Sequence, residues 1–149
     1  LYRHIEWPIV IMLGAMIPIG QALESTGITA LIATEVVSLA GDLHIFWILM
    51  IILIITMLIT DVINNAATAV IMAPFSVNIA LQLGQPLEPF LMVVAVGASC
   101  AFLTPIGHQC NTLVMGPGNY KFSDYWRLGL PLDILIVLAS IPMILFVWL

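Results

Sequence analysis

The sequence predicts an all-α integral membrane protein in which two helices are interrupted at membrane depth. Hydrophobic residues make up 62% of the 149 positions and charged residues only 7%, and the mean hydropathy is +1.19. A soluble domain usually carries about a quarter charged residues, so the bilayer must be the solvent for most of this chain. Two polar stretches, "DVINNA" (61–66) and "TPIGHQCN" (104–111), interrupt apolar segments that otherwise have a helical pattern.

Charge and cysteine content exclude several classes of protein. The chain has 3 Lys and Arg against 8 Asp and Glu, so no basic patch is present to bind nucleic acid. Cys100 and Cys110 lie in apolar or glycine-rich sequence without metal-ligand spacing, and we expect small packing residues rather than a disulfide. The chain begins with Leu1 and enters a helical pattern without a signal-peptide pattern, which we interpret as a piece of a longer protein.

The first two segments differ in length and therefore in their expected relation to the membrane. Residues from about 5 to 23 are long enough to span a hydrocarbon core of about 30 Å at about 1.5 Å per residue. Pro18 is expected to kink this spanning helix. Residues from about 28 to 40 form a shorter, mildly amphipathic pattern that contains Glu35. We expect this second helix to lie at the membrane interface.

The rest of the chain predicts two discontinuous elements and one continuous helix. An apolar run stops at "DVINNA" and continues at once as an apolar helix, which predicts a re-entrant hairpin over about 44–83. A second apolar run stops at "TPIGHQCN", where Pro105 and Gly107 prevent a continuous helix. This pattern predicts a broken transmembrane helix over about 88–116. The last helix, about 125–149, is the cleanest spanning segment.

The few basic residues predict the orientation. If Arg3, Lys121 and Arg127 are cytoplasmic, the first and last helices both run from inside to outside. The hairpin then enters and leaves from the outer face, and the broken helix crosses back. We therefore predict a multi-pass protein of the cell membrane.

Broken helices at membrane depth suggest an ion-binding role. Non-helical backbone survives there only where it is buried in protein or lines a cavity. The end of a helix offers carbonyl oxygens that suit a cation, and the start of one offers N–H groups that suit an anion. Asn64 or Asn65 can cap the outgoing half-helix and still offer an amide group to a bound species. Paired discontinuous helices of this kind point to the binding site of a transporter.

Other interpretations of the same residues stay open. The Asn pair can be a surface loop between two spanning helices, with Asp61 solvated, and His108 can be a packing residue. A pairing of Asp61 with Asp133 would suit an intramembrane hydrolase, although the sequence has no Gly-x-Gly-Asp or His-Glu-x-x-His pattern. A channel or a non-transporting membrane subunit is a further alternative. We predict no catalytic residues and no enzyme.

Three stretches carry a resemblance to a known family. "NNAATAVIMAP" (64–74) and "SCAFLTPIGHQCNTLVMGPGNYKFSDYWRLGLPL" (99–132) closely resemble the C-terminal half of divalent anion:sodium symporters. More narrowly, they resemble citrate-transporter-like permeases of the ion transporter superfamily that carry regulatory TrkA-C domains. "EWPIVIMLGAMIPIGQALESTG" (6–27) resembles the segment that precedes the second hairpin in those permeases. The resemblance therefore covers essentially the whole chain.

The resemblance implies one half of an inverted-repeat transporter. In that family each repeat contributes a re-entrant hairpin and a broken helix, and the two tips meet at the substrate. Members work as dimers and move their transport domains by an elevator-like motion. The implied partners are a small anion such as a di- or tricarboxylate or sulfate, the N-terminal half of the same permease, a second copy of the permease, and the lipid bilayer. Sodium or a proton is the implied coupling ion, and a bacterial inner membrane is the implied location.

The resemblance also implies the residues of the binding site. The substrate-binding tip corresponds to Asn64, Asn65 and Ala66, with His108, Gln109 and Asn111 beside it. The cation ligands correspond to Thr60, the carbonyl of Ile63, Asn65 and Gly107. No metal other than sodium and no organic cofactor is implied.

Several positions depart from the family pattern. Ala66 lacks the hydroxyl of the Ser-Asn-Thr tip, Ile63 stands where relatives often carry Ser or Thr, and Asp61 stands where many carry another polar residue. His108 and Gln109 replace the Thr-Pro pair of the dicarboxylate members. The same architecture also serves permeases that exchange sodium for protons or extrude arsenite, so these alternatives stay open.

Overall fold

The computed structural model describes residues 43–149 continuously, and before them only positions 18, 22, 25–27, 31, 34 and 35. The helices predicted over about 5–23 and 28–40 lie outside the described residues, apart from those positions. Every regular element within the described residues is a helix. The all-α membrane fold class is therefore confirmed.

Residues 43–149 contain five helices, and the connections at 61–64 and 99–108 contain the two predicted interruptions. The helices are α1 (Ile45–Thr60), α2 (Asn65–Leu83), α3 (Leu87–Ala98), α4 (Gln109–Met115) and α5 (Phe122–Trp148). By length and composition, α2 and α5 are able to cross a membrane, and α1 and α3 are shorter apolar helices. The pair α1 and α2 occupies the segment predicted as a hairpin, and α3 and α4 flank the predicted break of the second element.

Local sequence explains where α2 begins and ends. Asn64 has an extended backbone, and its Oδ1 accepts a hydrogen bond from the Ala67 N–H at 2.8 Å, which is the geometry of an N-cap. The helix continues through Pro74, whose carbonyl oxygen accepts a hydrogen bond from Asn78 Nδ2 at 2.9 Å. It ends at Gly84, which has a φ of 63°, a left-handed conformation that glycine adopts without strain.

Helix α3 forms the centre of the core because α1 and α2 both pack against it. Phe90 and Val93 on α3 are completely buried, and the Ser76 hydroxyl of α2 donates to the Phe90 carbonyl at 3.0 Å. The approach of α3 to α1 requires a glycine at position 97. A β-carbon there would lie 2.8 Å from the β-carbon of Thr56, closer than packed side chains allow.

Helix α5 packs on α1 and α3 and leaves most of its surface exposed. Only 11% of its most apolar stretch of 18 residues is buried. Large side chains such as Leu138 and Phe146 are exposed. An apolar surface of this extent suits lipid or another protein surface rather than water. At Gly129 the helix touches the second interruption, because a β-carbon there would lie 2.5 Å from the Phe102 carbonyl oxygen.

Candidate functional site

The first interruption is the turn at 61–64 that joins α1 to α2. The sequence leaves open which asparagine caps α2, and the structure assigns the cap to Asn64. The amide of Asn65 is therefore available for other contacts. Its Oδ1 lies 3.0 Å from the buried Thr60 hydroxyl, which also lies 3.0 Å from the Ala98 carbonyl oxygen at the end of α3. The single hydroxyl proton can be donated to either oxygen, so Thr60 ties the tip to α3.

The second interruption lies between α3 and α4 and is held by side chains bonded to its backbone. Asn111 Nδ2 donates to the carbonyl oxygens of Ala101 at 2.8 Å and Thr104 at 3.2 Å. The Thr112 hydroxyl donates to the Pro105 carbonyl at 2.6 Å. These bonds give partners to backbone carbonyls that lie outside any helix.

Two further contacts fix the position of α4. His108 precedes the helix with extended backbone, and its Nδ1 accepts a hydrogen bond from the Cys110 N–H at 3.2 Å. The Tyr125 hydroxyl of α5 donates to the Asn111 carbonyl at 2.7 Å. The His108 imidazole thus caps the start of α4.

The two interruptions touch each other. Asp61 Oδ1 accepts a hydrogen bond from the Leu103 N–H at 2.9 Å, and the Thr104 hydroxyl donates to the Asp61 carbonyl at 2.5 Å. Gly107 lies directly against the end of α1 and the start of the first interruption, because a β-carbon there would be 2.7 Å from the Thr60 carbonyl oxygen and 3.0 Å from Asp61 Cα. Two polar stretches that are distant in sequence therefore form one structural unit.

A groove of about 680 Å³ opens where the interruptions meet. It is lined by Asn64, Asn65, Ala66, Ile106, Gly107, His108, Gln109, Thr112 and Leu113. None of these lining residues is an Asp, Glu, Lys or Arg. An ion in the groove would meet amide, hydroxyl and imidazole groups, together with the N–H groups at the start of α2.

The residues predicted to bind substrate lie in this groove with one exception. Asn64, Asn65, Ala66, His108 and Gln109 line it. Asn111 instead directs its amide at backbone carbonyls and lines a neighbouring cavity of about 400 Å³ that also includes Tyr125.

The predicted cation ligands are divided between the groove and its surroundings. Asn65 and Gly107 line the groove. Thr60 is completely buried and contacts Asn65 through its hydroxyl. The Ile63 side chain is 40% exposed and lies outside the groove lining.

Sequence reasoning missed two threonines that shape the site. Thr104 connects the interruptions, and Thr112 both braces the second interruption and lines the groove. The available signal was a hydroxyl residue within or beside irregular backbone in an apolar segment. Such hydroxyl groups commonly bond to nearby carbonyls.

Two buried carboxyl groups lie outside the groove lining. Asp61 is 3% exposed, which contradicts the alternative in which it is a solvated loop residue. Its Oδ2, and both carboxyl oxygens of Asp133 on α5, have no hydrogen-bond partner within the described part of the chain.

The described residues contain no group of three or more His, Cys, Asp and Glu side chains that could hold a metal. Cys100 and Cys110 are free thiols.

Comparison with known proteins gives matches along the whole chain. A family model described as "Citrate transporter" matches residues 1–149. An uncharacterized transporter of Synechocystis sp. is 36% identical over 148 residues, which cover 99% of this chain and 24% of the relative. The uncharacterized transporter YfbS of Escherichia coli is 40% identical over 143 residues, which cover 96% of this chain and 23% of the relative. The chain thus spans about a quarter of the length of these two relatives.

A more distant match has a more specific name. Sodium/sulfate cotransporter 2 of Chlamydomonas reinhardtii is 28% identical over 139 residues, which cover 93% of this chain and 16% of that protein.

Proposed function

Because the chain belongs to the citrate transporter family, as its sequence resemblance predicts, we propose that it is part of a secondary active transporter that moves a small anion together with sodium. The observation that supports this proposal most strongly is the groove at the meeting point of the two interruptions. It brings Asn64, Asn65, His108 and Gln109 to one surface. The name of the Chlamydomonas relative, a sodium/sulfate cotransporter, supports an anion cargo and a sodium coupling ion.

The groove offers hydrogen-bond donors for an anion, although no Lys or Arg lines it. The amide groups of Asn64, Asn65 and Gln109 can each donate a hydrogen bond to an oxyanion. The start of α2 adds N–H groups and the positive end of a helix dipole. A carboxylate or sulfate fits this donor set.

The shortage of positive charge in the groove gives a physical reason for ion coupling. Moving an unpaired anion into a site within the membrane is expensive. A sodium ion beside the anion would offset that cost, so each ion would bind more tightly in the presence of the other. In this proposal Thr60, the Ile63 carbonyl, Asn65 and Gly107 supply oxygen ligands, which hard cations prefer.

The complete permease would supply the rest of the machinery. We place a second tip, from the N-terminal half of the same permease, opposite Asn64 and Asn65, with two such permeases forming a dimer in the cell membrane. An elevator-like movement would then expose the groove alternately on the two sides. The fraction of the relatives' length that this chain covers, about a quarter, leaves room for these parts.

A cation/proton antiporter is the second candidate. The buried carboxyl groups of Asp61 and Asp133, whose oxygens include unpartnered atoms, favour it because such groups can carry protons in membrane transporters. An antiporter of this kind would exchange sodium for protons in the absence of any anion.

Uptake by the full-length permease in proteoliposomes distinguishes these functions. We expect one of labelled citrate, succinate or sulfate to accumulate above its external concentration when an inward sodium gradient is imposed. A sodium ionophore should abolish this accumulation. Sodium–proton exchange without anion movement would support the antiporter instead, and equilibration without accumulation would support a channel.

A further inference from the structure

Two side chains that the proposed binding site does not use connect its two halves. Asp61 belongs to the first interruption, and its Oδ1 accepts a hydrogen bond from Leu103 of the second at 2.9 Å. Thr104 belongs to the second interruption, and its hydroxyl donates to the Asp61 carbonyl at 2.5 Å. The bonds run in opposite directions between neighbouring residues, so they form a two-point connection.

The Thr104 hydroxyl also reaches the segment that lines the groove. Its Oγ1 accepts hydrogen bonds from the N–H groups of Ile106 and Gly107, each at 3.2 Å. One hydroxyl therefore links the tip carbonyl of Asp61 to the backbone of a proposed cation ligand. Loss of this hydroxyl would remove the hydrogen bonds that link Gly107 to the Asp61 carbonyl. It would remove no atom from the groove lining.

Helix α5 supports the connection from another side. A β-carbon at Gly129 would lie 3.1 Å from the Leu103 nitrogen, the atom that donates to Asp61. The backbone at Leu103 is therefore in contact with α5 and is also hydrogen-bonded to the Asp61 carboxyl group of the first interruption. This packing holds in place the Leu103 N–H that donates to the Asp61 carboxyl group.

We propose that Asp61 and Thr104 are positioning residues that fasten the two interruptions together and so set the spacing between Asn65 and Gly107 at the cation site. The inference rests on the proposed function for its effect on sodium, whereas the fastening itself is a property of the fold. The required feature of Asp61 is an acceptor at Oδ1 rather than a negative charge. Asparagine keeps such an acceptor, and alanine does not.

The sodium dependence of uptake tests this assignment. In the full-length permease, Asp61→Ala and Thr104→Val should each raise the sodium concentration for half-maximal uptake roughly tenfold, with unchanged abundance in the membrane. Asp61→Asn and Thr104→Ser, which keep the bonding atoms, should stay within about threefold of the wild type. Thr68→Val is the matched control, because Thr68 is completely buried and its hydroxyl has no hydrogen-bond partner within the described residues.

A distance measurement tests the fastening without any transport. Spin labels at Val62 and Ile106, which are 73% and 67% exposed, report on the separation of the two interruptions. We expect a narrow distance distribution in the wild type and in Asp61→Asn, and a broad one in Asp61→Ala and Thr104→Val. This result would hold even if the permease accumulated no anion, so failure of the proposed function is recognised separately.

Two results would overturn the inference. A narrow distribution in both Asp61→Ala and Thr104→Val would show that these residues do not hold the interruptions together. Sodium half-saturation in Asp61→Asn as poor as in Asp61→Ala, with the distance unchanged, would show that the charge of Asp61 acts on the cation directly.

Discussion

Replacing Asn65 with alanine should abolish anion accumulation while the permease still inserts into the membrane at near-normal levels. Asn65 lines the groove, and its Oδ1 is hydrogen-bonded to the Thr60 hydroxyl at 3.0 Å. In the proposed function its amide serves both the anion and the cation. Each hydrogen bond to a charged group contributes about 1.5–3 kcal/mol, so loss of both should lower uptake by more than about 100-fold.

The stability cost of this substitution should be small. Asn64 rather than Asn65 caps α2, so the cap remains, and the lost bond to Thr60 contributes about 1 kcal/mol. Asn78→Ala is a matched control on the same helix, because Asn78 bonds to the Pro74 carbonyl and does not line the groove. That variant should transport at near-wild-type rates. Full activity in Asn65→Ala would remove Asn65 from the site.

The second large effect is expected from one added methyl group at Gly107. A β-carbon there would lie 2.7 Å from the Thr60 carbonyl oxygen, 2.9 Å from the Ala101 β-carbon and 3.0 Å from Asp61 Cα. Two of these neighbours are backbone atoms, so the contact is relieved only if the two interruptions move apart. Overpacking of this kind typically costs about 1–3 kcal/mol. We expect Gly107→Ala to reduce sodium-driven uptake at least about tenfold and to lower the melting temperature of the purified permease.

Gly116→Ala is the control for this substitution. A β-carbon at Gly116 would have no atom within 4 Å, and its backbone is in the right-handed region with φ of −67°. Uptake and melting temperature should both be unchanged there. Wild-type uptake in Gly107→Ala would mean that close contact between the tip and the second interruption is not needed for transport.

The helices and their interruptions are predictable from local sequence because local physics decides them. The near absence of charge requires a membrane, and Pro105 and Gly107 disfavour helix continuation. The start of the last helix is less predictable. It begins at Phe122 rather than near residue 125, because the Asp124 carboxylate accepts a hydrogen bond from the Lys121 N–H at 2.8 Å and stabilises an earlier start.

The assembly of the candidate site is predictable only through resemblance. Nothing local indicates that Gly107 lies against Thr60, since this contact depends on how α3 packs against both α1 and α2. The sequence also does not decide which asparagine caps α2, because either residue type can do so. In the structure the extended backbone at Asn64 makes it the cap. Asn111 has the residue type expected of a ligand, but its amide is used by carbonyls of the second interruption.

The groove between the interruptions is proposed to bind the transported anion and its coupling cation, and a single cysteine at Ala66 tests this directly. In the full-length permease with Cys110 replaced by serine, the variant Ala66→Cys should react with a small thiol reagent. Sodium together with the transported anion should slow that reaction several-fold. Val62→Cys, at a position that is 73% exposed and outside the groove lining, should react at the same rate with and without both ions. Equal rates at position 66 with and without the ions, or fast labelling there by a large impermeant reagent, would contradict the assignment of the groove as the transport site.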